Sequence, residues 1–103
     1  MKFSEAIAKA EETFDWIRVT EVDYNRDPEL WWFDVEGSYQ SRSVRGAFAI
    51  APTKQGDYDP YEMDISFSQT DYITLEWDGT QFVQTSRTSR HLRMIRGDGE
   101  EAT

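Results

Sequence analysis

The chain contains no cysteine and only one histidine among its 103 residues. Without cysteine it forms no disulfide, has no thiolate nucleophile and builds no cysteine-based zinc site. One histidine excludes a two-histidine metal site within a single chain. A Ser-His-Asp arrangement would have to use His91, which has no carboxylate near it in the sequence. The absence of cysteine also fits a reducing compartment.

Common catalytic and phosphate-binding motifs are absent as well. Neither GxxxxGK[ST] nor GxGxxG occurs, and the nucleophile elbow GxSxG is missing. Asp57, Asp59 and Glu62 form a carboxylate-rich stretch, but Pro60 and the glycine spacing do not match a calcium-binding EF-hand loop. We therefore expect no metal, no cofactor and no enzymatic activity.

Long apolar runs are missing too. The longest uncharged runs, such as residues 46–53, are far too short to cross a membrane. Glu5 and Lys9 interrupt the N-terminal segment in which a signal peptide needs its apolar core. These features predict a cytoplasmic protein with no membrane partner.

Basic residues are few, with 11 Lys and Arg against 20 Asp and Glu and a net charge of -9. Such a charge disfavours direct binding to nucleic acid or to an anionic membrane, because both repel carboxylates. It favours a basic protein partner. Solubility alone is the alternative explanation of an acidic composition.

One amphipathic helix is predicted at the N-terminus. Phe3, Ile7, Ala10, Phe14 and Ile17 follow one another at spacings of four, three, four and three residues, which places them on one helical face. Ser4 is the predicted cap, and the helix is expected to extend to about residue 16. Its apolar face is expected to pack across a sheet.

The rest of the chain is rich in β-forming residues, and period-two alternation predicts about six strands. These strands fall at 17–24, 30–36 and 43–51, with three more inside 61–85, and they are separated by a turn at 25–28, a polar turn at 37–42 and a loop at 52–60. In the first strand, Ile17 and Val19 alternate out of phase with Val22 and Tyr24, which indicates a bulge or a strand covered on both sides. The predicted fold is α+β, with one helix on an antiparallel sheet in a single domain of residues 1–96, followed by a flexible acidic tail at 97–103.

Asp78-Gly79 is the strongest hairpin signal in the sequence, because a two-residue type I′ turn requires positive φ at both central residues. A loop of two residues would set Trp77 opposite Thr80 and Leu75 opposite Phe82. Leu75, Trp77 and Phe82 would then lie on the core face of the sheet together with Ile73.

Acidic residues recur two positions apart, and several of these pairs begin inside predicted strands, at Glu21, Asp34, Glu62 and Glu76. Residues two apart on a strand point the same way and lie about 6.6 Å apart. Successive phosphates of one DNA strand lie at a similar distance, roughly 6–7 Å. A sheet with several such pairs would suit a protein that occupies the nucleic-acid channel of an enzyme. Alternatively, the carboxylates only keep the exposed face soluble and guard it against aggregation.

Trp31 and Trp32 cannot both enter one core, since neighbouring strand residues face opposite ways. If Trp31 lies inside with Phe33 and Val35, Trp32 shares the other face with Asp34 and Glu36. An aromatic side chain among carboxylates is typical of a hot spot for a basic protein surface. Cover by the helix or by a second protomer is the alternative for Trp32.

Four arginines, Arg87, Arg90, Arg93 and Arg96, lie within ten residues near the C-terminus. They could pair with the acidic sheet of the same chain, form the contact of a homodimer or bind an anionic ligand. Whether residues 86–96 form an edge strand or a short helix stays open.

In being short, acidic, cysteine-free and rich in aromatics, the chain resembles the small inhibitors that phages encode against host defence, including anti-CRISPR proteins and DNA mimics. The resemblance implies a non-catalytic inhibitor, in the host cytosol, that blocks the nucleic-acid site of a basic enzyme such as a CRISPR effector. The expected binding residues are Glu21, Asp23, Trp32, Asp34, Glu36, Glu62, Asp64 and Glu76. The alternatives are an immunity protein or antitoxin that neutralises a basic toxin, and a small-ligand-binding or enzymatic α+β domain with an apolar pocket between helix and sheet.

Overall fold

A computed structural model describes residues 1–26 and 29–89 of the chain. Its elements are, in order, α1 (Phe3–Glu11), β1 (Trp16–Arg26), β2 (Glu29–Tyr39), β3 (Arg42–Pro52), β4 (Tyr58–Ser66), β5 (Asp71–Trp77) and β6 (Phe82–Ser89). The predicted tail at 97–103 lies outside the described residues, as do Arg90, Arg93, Arg96 and part of the turn predicted at 25–28.

The six strands form one sheet in the order β1-β2-β3-β4-β5-β6, and every neighbouring pair is antiparallel. Each strand therefore pairs with the strand that follows it in the chain, through a short connection. The predicted α+β fold, with one N-terminal helix on an antiparallel sheet, is confirmed.

The helix is shorter than predicted and begins earlier. The backbone N–H of Lys2 donates to the Glu5 carboxylate at 2.7 Å, so the helix starts at Phe3 and is not capped by Ser4. It ends at Glu11. The backbone N–H of Asp15 then donates to the carbonyl oxygen of Ser38 at 2.8 Å, which draws the chain into β1.

The core lies between α1 and the sheet, with the helix over β3 and β4. Ala6 and Ala10 of α1 supply its helical side, together with Phe14, which follows the helix; Phe14 and Ile17, predicted to lie on the helix itself, lie beyond its end. The sheet supplies the buried side chains Phe33, Val35, Val44, Phe48, Ile50, Met63, Ile65, Ile73 and Leu75. We call this side of the sheet the core face.

The predicted irregularity in the first strand is a β-bulge. Val19 pairs with Val35, but Glu21 pairs with Asp34, so that Thr20 is the extra residue of β1. The bulge returns Val22 to the face that contains Val19, because one inserted residue reverses the alternation. Ile17, Val19 and Val22 thus share the core face on both sides of the bulge.

The register predicted for the β5–β6 hairpin is wrong. Trp77 pairs with Phe82 and Leu75 with Gln84, so the loop has four residues instead of two. The Asp78 carboxylate accepts the backbone N–H groups of Thr80 and Gln81 at 2.8 and 2.9 Å, which stabilises the wider loop and lowers the pKa of Asp78. The predicted core-face set survives, since paired residues share a face.

The two-residue hairpin instead joins β2 to β3, at Gln40-Ser41. Both residues have positive φ, at 50° and 67°. The carboxylate of Asp15 accepts the backbone N–H of Ser41 at 2.8 Å and the hydroxyl of Ser38 at 2.7 Å. Asp15, which lies outside the hairpin, thus stabilises the tight turn. The polar turn predicted at 37–42 is too long, since β2 extends to Tyr39 and β3 begins at Arg42.

Replacing Ser41 with glycine is expected to raise the free energy of unfolding by about 1 kcal/mol, because a residue with a Cβ pays a steric cost in the left-handed region. Urea denaturation measures the change. Ser43→Gly, two residues along in β3, is the matched control and is expected to destabilise the protein. A Ser41→Gly variant no more stable than the parent would contradict the turn geometry.

The loop predicted at 52–60 is shorter, since β4 already begins at Tyr58. Pro60 lies inside β4 beside a bulge: Ile50 pairs with Pro60 and Ala49 with Glu62, which leaves Tyr61 as the extra residue. A bulge tolerates proline, which has no N–H for the ladder. The extra residue lies outside the regular ladder, and the side chain of Tyr61 is 49% exposed.

Candidate functional site

The open face is the side of the sheet opposite α1. Strand pairing places on it all eight residues that the sequence predicts for partner binding: Glu21, Asp23, Trp32, Asp34, Glu36, Glu62, Asp64 and Glu76. The bulges at Thr20 and Tyr61 keep them together, because each bulge corrects the alternation of its strand. As the sequence predicts, Trp31 packs against the core while Trp32 lies on the open face.

Two rows of paired residues cross the open face from β1 to β6. The first contains Asp23, Trp32, Ala49, Glu62, Glu76 and Val83, and the second contains Glu21, Asp34, Ala47, Asp64, Thr74 and Ser86. Neighbouring strands lie about 4.8 Å apart, so β2 and β4 are separated by roughly 10 Å across β3. We call this region the acidic trough, with Ala47 and Ala49 as its floor, Trp32 and Asp34 on its β2 side, and Glu62 and Asp64 on its β4 side.

Trp32 is half-buried, while Ala49 beside it has no exposed surface. Asp23 and Asp34, its neighbours on the open face, are exposed. The only helix in residues 1–26 and 29–89 packs on the other face, so cover of Trp32 by α1 is excluded. The Trp32 indole is therefore held in place beside the buried Ala49 and keeps part of its surface exposed. Such a side chain offers an aromatic contact surface and loses little conformational freedom on binding.

On the β4 side of the trough, like charges face each other. Glu62 pairs directly with Glu76, and Asp64 is two positions along the same strand. Partial burial and the charges of Asp64 and Glu76 raise the pKa of Glu62. Asp64 accepts the hydroxyl of Thr74 at 2.9 Å, which fixes the direction of its carboxylate. This cluster costs the fold stability, since cross-strand like charges repel.

Glu62→Gln is therefore expected to stabilise the protein at about pH 7, by up to about 1 kcal/mol. A raised pKa in the folded state means that ionised Glu62 penalises folding above that pKa, and that the penalty disappears as the carboxyl protonates. The advantage of the variant should shrink from about pH 7 to about pH 4, as urea denaturation at both pH values would measure. Glu11→Gln on α1 is the control. An advantage that is equal at both pH values would contradict the repulsion.

A third row, of alternating charge, bounds the trough. It contains Arg18, Glu36 and Arg45 in register on β1, β2 and β3. The Arg18 guanidinium donates to Glu36 Oε1 at 2.6 Å and lowers the pKa of Glu36, as does the nearby charge of Arg45 to a smaller extent. Glu36 is thus neutralised by its own chain, unlike the carboxylates of the first two rows, for which the structure shows no basic partner among the described residues.

Arg87 pairs within its own chain. It contacts both carboxylate oxygens of Asp71 at 2.9 Å and lies 5.4 Å from the ring centre of Phe67. For this arginine, intrachain pairing is the alternative that the structure favours, although Asp71 is not one of the open-face acids. The other three predicted arginines lie outside the described residues.

The structure brings together no metal-ligating cluster of three or more side chains within the part of the chain that it describes. The carboxylate stretch considered for calcium is split, since Asp57 pairs with the N-terminal ammonium at 2.7 Å. Two clefts of about 630 and 420 Å³ open at the surface, whereas the helix–sheet interior is filled by Phe48, Met63 and other fully buried side chains. No helix of the described residues is long and apolar enough to span a membrane.

Sequence reasoning missed residues that shape the site without being acidic. Ala47 and Ala49 form the floor, and Arg18 and Arg45 end the acidic region. Asp59 also lies on the open face, opposite Ala51. Their positions depend on the register between strands, which the sequence alone does not give. The phase switch in β1 was the only feature of the sequence that bore on this register.

The chain was compared with protein-family models, with curated protein sequences and with solved structures, and none of these comparisons gave a match. We therefore infer a function from the open face alone.

Proposed function

We propose that the protein is a non-catalytic inhibitor that binds a basic, nucleic-acid-handling protein through the open face and blocks its nucleic-acid site. A CRISPR effector is one example of such a partner. One observation supports this most directly. Six carboxylates without basic partners among the described residues lie with Trp32 on the face of the sheet opposite α1.

The trough has dimensions that suit this role. On β4 the carboxylates of Glu62 and Asp64 lie about 6.6 Å apart, and Asp34 on β2 lies across the floor, with the two strands roughly 10 Å apart, so that negative charge flanks an apolar floor on both sides. A protein channel that binds nucleic acid presents arginine and lysine side chains to phosphates at comparable spacing. Such side chains could reach the carboxylates while their aliphatic stems pack on Trp32 and Ala49.

Repulsion within the trough also supports a binding role. The Glu62–Glu76 pair with Asp64 lowers the stability of the isolated protein, and a basic partner would relieve this repulsion. A solubility role alone does not require charges to be placed opposite one another, since carboxylates at offset positions would serve as well.

An immunity protein or antitoxin that neutralises a basic toxin is the second candidate, because the same face would serve. The two candidates differ in the identity of the partner and in whether nucleic acid competes for it. Competition by nucleic acid favours the first, unless the toxin is itself a nuclease.

The first test is capture of proteins from bacterial lysate at low and high salt. The triple variant Trp32→Ala, Glu62→Gln, Asp64→Asn is compared with Trp16→Ala, Glu11→Gln, Glu12→Gln, which removes the same charge and an exposed indole outside the trough. We expect one basic nucleic-acid-handling protein to be captured at low salt by the parent and by the control, and to be lost with the triple variant. Capture that is unaffected by salt and by the trough variant would place the interface elsewhere.

A further inference from the structure

The two edges of the sheet differ in what they present on the core face. Within the described residues the helix packs mainly on β3 and β4, the two middle strands, away from the edge strands β1 and β6. On β6 the core-face positions after Phe82 are Gln84 and Arg87, so polar groups end the core there. On β1 the core-face positions from residue 17 to residue 24 are aliphatic or aromatic: Ile17, Val19, Val22 and Tyr24. The apolar core therefore ends in polar side chains at β6, whereas at β1 it continues to the edge of the sheet.

Exposure shows the same contrast. Five large hydrophobic side chains are exposed in the described part of the chain, and three of them, Trp16, Val19 and Val22, belong to β1 at 58%, 41% and 50%. Val19 pairs with the buried Val35, and Val22 pairs with the buried Phe33. The two valines form the exposed margin of the core, next to a strand edge that pairs with no other strand of residues 1–26 and 29–89.

This edge is complementary to itself. Opposite residues of an antiparallel pair must share a face. Because the bulge at Thr20 places Val19 and Val22 on the same face, two copies of β1 can align with the Val19 of each copy opposite the Val22 of the other. In that register the Arg18 of each copy falls opposite the Asp23 of the other, on the open face, and the two-fold axis repeats both contacts. One guanidinium nitrogen of Arg18 donates to Glu36 of its own chain, and a guanidinium has further N–H groups that can donate to Asp23.

We propose that β1 is a homodimer interface, in which two copies pair antiparallel along β1 and join their six-stranded sheets into one continuous sheet. The valine pairs would close the core that each copy leaves open, and the Arg18–Asp23 pairs would fix the register. Charges and bulges on edge strands usually prevent such pairing. Here the bulge at Thr20 aligns the valines, and the opposite charges of Arg18 and Asp23 attract each other. Both features therefore favour one register between the two β1 strands.

A two-fold axis normal to the sheet keeps both open faces on the same side. The dimer would present two acidic troughs on one face, separated by the paired β1 strands. The net charge of -9 on each copy opposes association, so we expect dissociation in the micromolar range or above.

Sedimentation equilibrium of the full chain over low to high micromolar concentration tests the proposal. We expect a monomer–dimer equilibrium for the parent and at least about tenfold weaker association for Val22→Lys. The control is Val83→Lys, which places the same substitution at a valine of similar exposure, 42%, on the opposite edge strand, and it should leave the equilibrium unchanged. Circular dichroism would establish that each variant is folded.

A charge exchange keeps the test independent of the valines. Arg18→Asp and Asp23→Arg should each weaken the dimer, and the double variant should recover most of the loss, because it restores the opposed pair. A parent that is monomeric at every concentration would overturn the proposal. So would a dimer that survives Val22→Lys, or a double variant no better than its single parents. None of these results depends on the partner of the open face.

Discussion

Phe48→Ala is expected to lower the free energy of unfolding by about 3–5 kcal/mol. Phe48 has no exposed surface and lies on β3 between its partners Phe33 and Met63, with its ring stacked on that of Phe33 at 5.0 Å between centres. The helix rests on β3 and β4, so the cavity would form under the only helix of the described residues. The loss is a large fraction of the roughly 5–15 kcal/mol that stabilises a typical domain.

Urea denaturation followed by tryptophan fluorescence measures this loss. Val83→Ala is the control, because Val83 is exposed on β6 and its truncation should change stability by less than about 0.5 kcal/mol. If Phe48→Ala cost no more than the control, Phe48 would not be the centre of the core, and the assignment of the two sheet faces would be wrong.

The trough variant Trp32→Ala, Glu62→Gln, Asp64→Asn is expected to weaken binding of the captured partner by at least about a hundredfold. Hot spots are enriched in tryptophan, and loss of one half-buried indole alone often costs about 2 kcal/mol or more. The two carboxylates add attraction for a basic surface. The fold should survive, since Asp64→Asn keeps an acceptor for the Thr74 hydroxyl and Glu62→Gln removes a repulsion.

The component substitutions should separate two kinds of contribution. Trp32→Ala is expected to speed dissociation with little change in salt dependence, whereas Glu62→Gln with Asp64→Asn should slow association and flatten the salt dependence. Surface plasmon resonance at several salt concentrations measures both rates. If the matched variant Trp16→Ala, Glu11→Gln, Glu12→Gln lost as much affinity as the trough variant, binding would depend on net charge alone, and the trough would not be a specific binding site.

If the open face binds a basic partner as proposed, Glu62 links the stability of the free protein to that binding. Its substitution should stabilise the free protein at neutral pH and weaken the complex, because the same repulsion that penalises folding is relieved by a basic partner. At a functional site, a substitution is expected to have opposite effects on stability and on binding. A carboxylate kept only for solubility would affect neither strongly.

Much of the fold followed from residue periodicity. The alternation in β2 separated Trp31 from Trp32 and placed Phe33 and Val35 inside, as the structure confirms. The phase switch in β1 indicated the bulge. These predictions succeeded because burial of one face imposes a period of two that is visible in a single sequence.

Turns and register were less predictable, because hydrogen bonds to side chains decided them. Asp15, distant in sequence, supplies the acceptor for the Gln40-Ser41 hairpin, which has no Asn-Gly or Asp-Gly signal. Conversely, Asp78-Gly79 had the signal, but the Asp78 carboxylate organises a four-residue loop. The composition of the acidic face was predictable from strand phase, whereas the alanine floor and the neutralised Glu36 depended on cross-strand register.

Mutual exclusion of the protein and nucleic acid tests the central claim most directly. The captured partner, purified, is titrated with the protein in the absence and in the presence of a saturating amount of the nucleic acid it binds, and the apparent dissociation constant is measured by calorimetry. We predict that the constant rises in proportion to the nucleic-acid concentration, as for competition at one site, and that the trough variant fails to displace nucleic acid. Simultaneous binding, with an unchanged constant, would contradict occlusion of the nucleic-acid site.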